Sequence, residues 1–265
     1  MATTEREVDS NETAESAFHA VVDAETIQRT VALVRTVVDE CRVRLDGDGI
    51  RIAAMDPATV AAVDLELPAE AFESYDAAGG RLGVDLTRLG EVVGMAERGQ
   101  LVEVRLDAET RPLDVAVGDL EYTLGLVDPE SVRSPPDTDA MTFDHSGEVV
   151  LVGDEVNRAV QAADMVSDHV AFGIDEGEEQ FYATADGDTD DVSLTQDAAD
   201  CVAFTPGDAH SLFSVDYLRD INGELPGDAE VTLQLGTEQP LEARYEFASG
   251  DGSVRYQVAP RIASR

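Results

Sequence analysis

Two stretches of this sequence repeat one pattern: "ETIQRTVALVRTVVDECRVRLD" (25–46) and "DEVNRAVQAADMVSDHVAFGID" (154–175). When they are aligned, Arg29 falls on Arg158, which sets an offset of 129 residues (158 − 29). Three later pairs of short segments keep nearly the same offset: "GVDL" (83–86) with "SVDY" (214–217), "VEVRL" (102–106) with "VTLQL" (231–235), and "PLDV" (112–115) with "PLEA" (240–243). Because self-similarity at a fixed spacing is typical of duplicated structural units, the sequence predicts two copies of one domain.

Each copy contains a helix with one apolar face. In the first copy Ile27, Val31, Val34 and Val38 recur at helical spacing, while Arg29 lies on the polar side. Alternating apolar and polar residues elsewhere predict strands. The predicted order in each copy is a strand, a helix, several strands, a second helix and more strands. Helices that cover one face of an antiparallel sheet belong to the α+β class, which is the predicted fold class.

The segment "LDGDGIRIAAMDPATVAAVDLEL" (45–67) predicts two strands joined by a loop. Its acidic start is similar to a calcium-binding EF-hand loop, but such a loop needs glycine at its sixth position and glutamate at its twelfth. Counted from Asp46, these positions hold Arg51 and Pro57. We therefore interpret "DGDG" as a hairpin turn and "AAMDPATV" (53–60) as the connection between the next two strands.

The composition of two further segments marks the domain boundaries. The first 16 residues are polar and acidic, which predicts a disordered tail at 1–16. Between the copies, "LVDPESVRSPPDTDA" has three prolines and no sustained period, which predicts an extended connector. The predicted organisation is therefore a first domain at 17–126, a connector at 127–140 and a second domain at 141–265.

Acidic residues are spread along the whole chain. There are 56 Asp and Glu residues against 18 basic residues, all of them arginine, and the formal net charge is −38. The acids alternate with apolar positions, so they indicate a charged surface rather than a disordered chain. Such a surface without lysine is typical of proteins from salt-accumulating halophiles, in which molar salt shortens the screening length to about 3 Å.

Several classes of protein lack support in the sequence. No apolar run approaches the ~18 residues of a membrane span, and the N-terminus has no apolar signal-peptide region. The two cysteines, Cys41 and Cys201, have no motif spacing, which predicts reduced thiols in a cytoplasmic protein. Catalytic motifs such as a phosphate loop, GxSxG or HExxH are absent from the sequence, and the four histidines are isolated. We therefore predict no catalysis, no cofactor and no metal site.

Four segments together carry a resemblance to a known family. They are "DGIRIAAMDPATVAAVDLEL" (48–67), "LGVDLTRLGEVV" (82–93), the connector, and the ending "VRYQVAPRIA" (254–263). In this order, on a duplicated chain, they resemble PCNA, the sliding clamp of archaea and eukaryotes, from about Phe18 to Ile262, and the acidity resembles its haloarchaeal branch. The resemblance implies a DNA clamp fold, in which three identical subunits close a ring of pseudo-sixfold symmetry around duplex DNA and tether polymerases.

The resemblance also implies three sets of site residues. A groove for partner peptides is formed by Met55, Val60, Val132, Pro135, Pro240, Ala259, Pro260 and Arg261. Arginines on helix faces that line the hole for DNA are Arg29, Arg35, Arg88, Arg158 and Arg219. The subunit interface pairs a strand with Leu120, Tyr122 and Leu124 against a strand with Val192 and Leu194 of the next subunit.

The implied partners are double-stranded DNA, held topologically, and replication and repair proteins. Replicative DNA polymerases, the clamp loader, flap endonuclease and DNA ligase bind through short hydrophobic peptide motifs. Two alternatives stay open, namely a scaffold that binds only proteins and a checkpoint-type clamp subunit of a heteromeric ring. A random distribution of arginine would favour the scaffold, whereas here five of the 18 basic residues lie on the helix faces assigned to the hole.

Overall fold

The computed structural model describes residues 16–107, 112–133 and 142–261, and the structural statements below refer to these residues. The predicted N-terminal tail lies outside this range except for Ser16, which begins the first strand. Pro135 of the predicted groove also lies outside it.

The two halves of the chain contain the same elements in the same order. In the first half these are β1 (Ser16–Asp23), α1 (Ala24–Arg35), β2 (Glu40–Asp46), β3 (Gly49–Met55), β4 (Ala61–Pro68), β5 (Ser74–Ala77), β6 (Gly80–Asp85), α2 (Leu86–Val93), β7 (Leu101–Asp107), β8 (Leu113–Val117) and β9 (Leu120–Leu124). In the second half they are β10 (Gly147–Val152), α3 (Gly153–Asp164), β11 (His169–Asp175), β12 (Gln180–Asp186), β13 (Asp191–Asp197), β14 (Ala203–Thr205), β15 (Ala209–Ser214), α4 (Val215–Gly223), β16 (Glu230–Leu235), β17 (Leu241–Phe247) and β18 (Gly252–Val258). Helix α3 begins 129 residues after α1 (153 − 24), and α4 begins 129 residues after α2 (215 − 86). The predicted duplication and α+β class are confirmed.

Helix α1 begins at an aspartate cap and ends at a run of β-branched residues. The Asp23 carboxylate accepts a hydrogen bond of 2.8 Å from the Glu25 amide. Ile27, Val31 and Val34 are buried as predicted. The predicted apolar stripe is wrong at its end, because the helix stops at Arg35 and Val38 lies beyond it. The run Thr36-Val37-Val38 restricts side-chain rotamers in a helix, which favours termination there.

One of the three antiparallel sheets joins the two halves. Its nine strands run in the order β14-β10-β16-β17-β18-β4-β3-β2-β6. The junction is the pairing of β18 with β4, which extends from Ser253 opposite Glu66 to Val258 opposite Ala61. Strand pairing therefore fixes the first half directly against the second.

The other two sheets each end in an unpaired strand. The five-stranded sheet has the order β5-β1-β7-β8-β9, and the four-stranded sheet has the order β13-β12-β11-β15. In the described chain, β9 and β13 thus each have one free edge. Such edges present unpaired backbone groups, which pair readily with another strand.

The core is continuous between the helices and the sheets. Phe172, Phe181 and Phe213 are almost completely buried in the second half, and Leu65 and Leu67 in the first. No described helix has the length and apolarity needed to cross a membrane.

Candidate functional site

The loop between β3 and β4, residues 56–60, is organised by one buried carboxylate. Asp56 is 5% exposed. Its Oδ1 accepts hydrogen bonds from the amides of Val60 (2.7 Å) and Ala61 (2.8 Å), and its Oδ2 accepts one from the amide of Ala58 (2.9 Å). Oδ2 also accepts a hydrogen bond of 2.9 Å from the Tyr217 hydroxyl on α4, in the other half.

These hydrogen bonds determine the charge state of Asp56. Burial alone would raise the pKa of its carboxyl, but the hydrogen bonds from Ala61, Tyr217, Val60 and Ala58 stabilise the anion and lower the pKa below its usual range. Asp56 is therefore ionised at neutral pH, and the loop is built around a buried negative charge.

The C-terminal segment lies beside this loop. The Ala259 amide donates to the carbonyl of Val60 (2.7 Å), and the Arg261 amide donates to the carbonyl of Leu212 (2.6 Å). Residues 259–261 thus continue from β18 across the boundary between the halves.

The described part of the connector is held by two arginines and a close backbone contact. Arg42 donates to the carbonyls of Pro129 and Val132, the latter at 3.0 Å, and Arg133 donates to the carbonyl of Pro57 at 3.0 Å. The connector therefore contacts the 56–60 loop directly.

The close backbone contact lies at the start of the connector. The Val127 amide donates to the Gly83 carbonyl at 2.9 Å. A Cβ on Gly83 would lie 2.3 Å from the Val127 carbonyl oxygen, so glycine is required at this position.

The structure brings most of the predicted groove residues together. The loop carries Met55 and Val60, both half-buried, and the connector carries Val132, which is 8% exposed. Two further groove residues, Ala259 and Pro260, are half-buried on the C-terminal segment, and Arg261 is exposed. Pro240 is half-buried one residue before Leu241, which pairs with Val258.

The five predicted DNA-facing arginines differ in their surroundings. Arg29 is bound across the halves, because its Nη1 donates at 2.9 Å to both the carbonyl and the carboxylate of Glu224. Arg219 forms ion pairs with Asp164 at 3.2 Å and Asp216 at 2.8 Å. The positive charge of both arginines is therefore largely compensated within the subunit.

The other three arginines are exposed. Arg88 projects outward as predicted, with an ion pair of 3.3 Å to Asp85. Within the described residues, neither Arg35 nor Arg158 forms an ion pair. These two guanidinium groups are the ones most available to an external anion.

The predicted interface residues lie on the two free strand edges. Tyr122 on β9 is 39% exposed, whereas the side chain of Leu124 is buried in its own half at 1%. Leu120 on β9 and Val192 and Leu194 on β13 are half-buried. Leu124 can therefore contribute its backbone to a strand pair, but not its side chain.

Known proteins match this chain over nearly its whole length. The DNA polymerase sliding clamp of Natronomonas pharaonis is 53% identical over 247 residues, which cover 93% of this chain and 99% of that protein. The chain belongs to the DNA polymerase sliding clamp family. The corresponding protein of Haloarcula marismortui is 51% identical over the same shares of both chains, and the family model of the proliferating cell nuclear antigen N-terminal domain matches residues 18–118. The predicted resemblance to the haloarchaeal clamps is confirmed, and the function is that of a sliding clamp for a DNA polymerase.

Solved clamp structures have the same fold. The structure described as the C-terminal region of FEN-1 bound to A. fulgidus PCNA superposes with a TM-score of 0.87 at 30% identity and covers 94% of this chain and all of that one. PCNA from Thermococcus kodakaraensis superposes with a TM-score of 0.83 at 27% identity and covers 92% of this chain and all of that one. The predicted DNA clamp fold is therefore confirmed.

Sequence reasoning missed the ionic network at the junction of the halves. Asp64 is 7% exposed and accepts hydrogen bonds of 2.9 Å from both Arg51 and Arg255. The only sequence signal was an aspartate at an alternating position of a strand, which predicts a solvent-facing side chain. Its burial depends on Arg255, which is remote in sequence and adjacent in the sheet.

Proposed function

We propose that three copies of this clamp close into a homotrimeric ring by pairing β9 of one subunit with β13 of the next. The observation that supports this most strongly is the pairing of β18 with β4 inside the chain. In the repeat, β9 occupies the place of β18, and β13 occupies the place of β4. The chain thus contains one complete domain junction and the two open edges of a second.

The internal junction gives the register of the external one. At the offset of 129 residues Val63 corresponds to Val192 and Leu65 to Leu194. Tyr256 lies opposite Val63, and Val254 lies opposite Leu65. The equivalent pairs across subunits are Tyr122 with Val192 and Leu120 with Leu194. A pairing defined by one chain's own repeat favours identical subunits over a heteromeric ring.

The external junction lacks the ionic contacts of the internal one. Where Arg255 lies opposite Asp64, the register places Glu121 opposite Ser193 of the next subunit. Asp119 and Asp191 flank these strands. The ring therefore assembles against electrostatic repulsion, and salt at molar concentration reduces this repulsion.

We further propose that α1 to α4 line the hole and that Arg35 and Arg158 face the DNA. The environment of Arg158 supports this role. Its counterpart Arg29 is bound by Glu224, but the residue equivalent to Glu224 in the first half (224 − 129) is Met95, which has no carboxylate and is 63% exposed. The guanidinium of Arg158 is thus left for phosphates. With so few cations, the clamp holds DNA by encircling it, because phosphate contacts weaken steeply with salt.

The groove around Met55, Val60 and Val132 is the proposed site for partner peptides. One solved clamp of the same fold is described with the C-terminal region of FEN-1 bound to it. An apolar side chain and an aromatic pair of such a peptide would fill the space between the loop, the connector and the C-terminal segment. Polymerases, the clamp loader, flap endonuclease and DNA ligase would share this groove.

In this proposal the clamp acts in the cytoplasm, where the sequence places it, and performs no catalysis of its own. Sedimentation in ~2 M KCl against ~0.1 M KCl tests the assembly. We expect a trimer at high salt and dissociation at low salt, and a monomer at high salt would contradict the ring.

A further inference from the structure

The hydrogen bond between Tyr217 and Asp56 links α4 of the second half to the groove loop of the first. The two residues are 161 positions apart, and the distance from the Tyr217 hydroxyl to Asp56 Oδ2 is 2.9 Å. Among the described hydrogen bonds, this is the one that a side chain donates to the Asp56 carboxylate. All its other donors are backbone amides of the loop itself.

The loop needs this support because its backbone is strained. Thr59 has a φ of 61°, a left-handed conformation that costs a β-branched residue free energy. Such a conformation persists only where its surroundings fix it. Here the fixing groups are Asp56, whose carbonyl accepts the Thr59 amide at 3.0 Å, and the amides that Asp56 holds on both sides.

The other half of the chain lacks this arrangement. The residue equivalent to Tyr217 is Arg88 (217 − 129), which pairs with Asp85 of its own helix turn. The equivalent loop between β12 and β13 is closed by a backbone hydrogen bond of 3.0 Å from Gly187 to Asp190. The hydroxyl–carboxylate contact thus occurs in the copy of the loop that carries Met55 and Val60.

We propose that Tyr217 is a positioning residue for partner binding: through Asp56 it holds the 56–60 loop in the shape that opens the groove. Val60 accepts the Ala259 amide at 2.7 Å, so a shift of the loop also moves the C-terminal wall of the groove. Loss of the hydroxyl leaves a buried carboxylate with one donor fewer, which loosens the loop and reduces the fraction of clamps able to bind a peptide. This inference rests on the proposed groove.

Tyr217→Phe tests the inference, with Tyr75→Phe as its matched control. The Tyr75 hydroxyl donates to the carbonyls of Asp46 (2.9 Å) and Gly49 (2.6 Å), at the opposite end of β3 from the groove. Both variants remove one part-buried hydroxyl and leave the ring. Each is titrated in ~2 M KCl with a synthetic peptide of the C-terminal region of an archaeal FEN-1, after sedimentation has shown the trimer. We expect Tyr217→Phe to weaken peptide binding about tenfold and Tyr75→Phe to leave it unchanged.

Hydrogen exchange provides a second measurement that needs no peptide. The amides of Val60 and Ala61 should exchange faster in Tyr217→Phe than in the wild type, and at the wild-type rate in Tyr75→Phe. Unchanged protection or unchanged affinity in Tyr217→Phe would overturn the positioning role. A wild-type trimer that binds no peptide would instead overturn the groove of the proposed function, and the two failures are thus distinguishable.

Discussion

The hydroxyl of Tyr256 donates a hydrogen bond of 2.9 Å to the carbonyl of Leu33, and this bond crosses the boundary between the two halves of the chain. Leu33 lies in the last turn of α1, where helix carbonyls lack an intrahelical partner. The repeat places Tyr122 where Tyr256 lies and Ala162 where Leu33 lies (33 + 129). In the proposed ring, the Tyr122 hydroxyl therefore donates to the Ala162 carbonyl of the next subunit.

Tyr122→Ala should dissociate the ring. Tyrosines at the centre of an interface contribute about 2 kcal/mol or more, so the variant should sediment as a monomer at concentrations where the wild type is a trimer. A dilution series in ~2 M KCl measures this. Tyr182→Phe, which alters a hydroxyl that contacts His210 within one subunit, is the control and should remain trimeric. An intact Tyr122→Ala trimer would contradict the proposed register.

Truncation of the groove residues should weaken peptide binding without affecting assembly. Met55→Ala and Val132→Ala each remove apolar surface from the groove and should cost ~1 to 3 kcal/mol of binding free energy. Calorimetry with a polymerase C-terminal peptide measures the effect. Met165→Ala is the matched control, because Met165 is 84% exposed at the end of α3. Equal affinities for all three variants and the wild type would remove the groove assignment.

Gly83→Ala should displace the start of the connector. The added methyl group would lie 2.3 Å from the Val127 carbonyl oxygen, so the backbone must move, at a cost of about 1 to 3 kcal/mol in the free energy of unfolding. We expect weaker peptide binding as well, since Val132 follows on the same segment. Gly47→Ala has no atom within 4 Å of its new Cβ and should leave both measurements unchanged. A Gly83→Ala variant with wild-type stability would contradict the close contact.

The lowered pKa of Asp56 predicts a specific acid sensitivity. Its ionised form contributes stability that is fully present above the usual aspartate pKa of about 4 and is lost as pH falls through the lower pKa of the folded state. The difference in unfolding free energy between wild type and Asp56→Asn should therefore shrink as the pH is lowered from about 5 to about 2. Denaturant titrations across this range measure it. The difference for the exposed Asp188→Asn should stay constant, and a constant difference for Asp56→Asn would refute the prediction.

The sequence predicted the features that depend on local pattern. The repeat, the helix faces and the hairpin turn were visible because apolar residues such as Ile27 and Val31 recur at fixed spacing. It did not predict contacts between distant residues. Arg29 has the pattern of an exposed arginine, yet Glu224 lies 195 positions away and binds it. The burial of Leu124 likewise depends on the sheet into which β9 packs.

Charge reversal of Arg35 and Arg158 together should slow loading and shorten polymerase runs while the trimer stays intact. These side chains are exposed and have no ion pair in the described chain, so they can meet phosphates during loading. Charge reversal of Arg219, whose charge Asp164 and Asp216 already compensate, should have the smaller effect. Equal effects of the two changes would contradict the proposed DNA-facing pair.

Retention on DNA tests the encircling ring most directly. The free protein should not bind open-ended duplex at molar salt, because each phosphate contact contributes little there. After a clamp loader and ATP have placed the clamp on circular DNA, the complex is isolated and the circle is then cut once. We predict that the clamp stays on the closed circle and is released when the ends are freed. A clamp that remains bound after linearisation would show true affinity for DNA and would contradict topological retention.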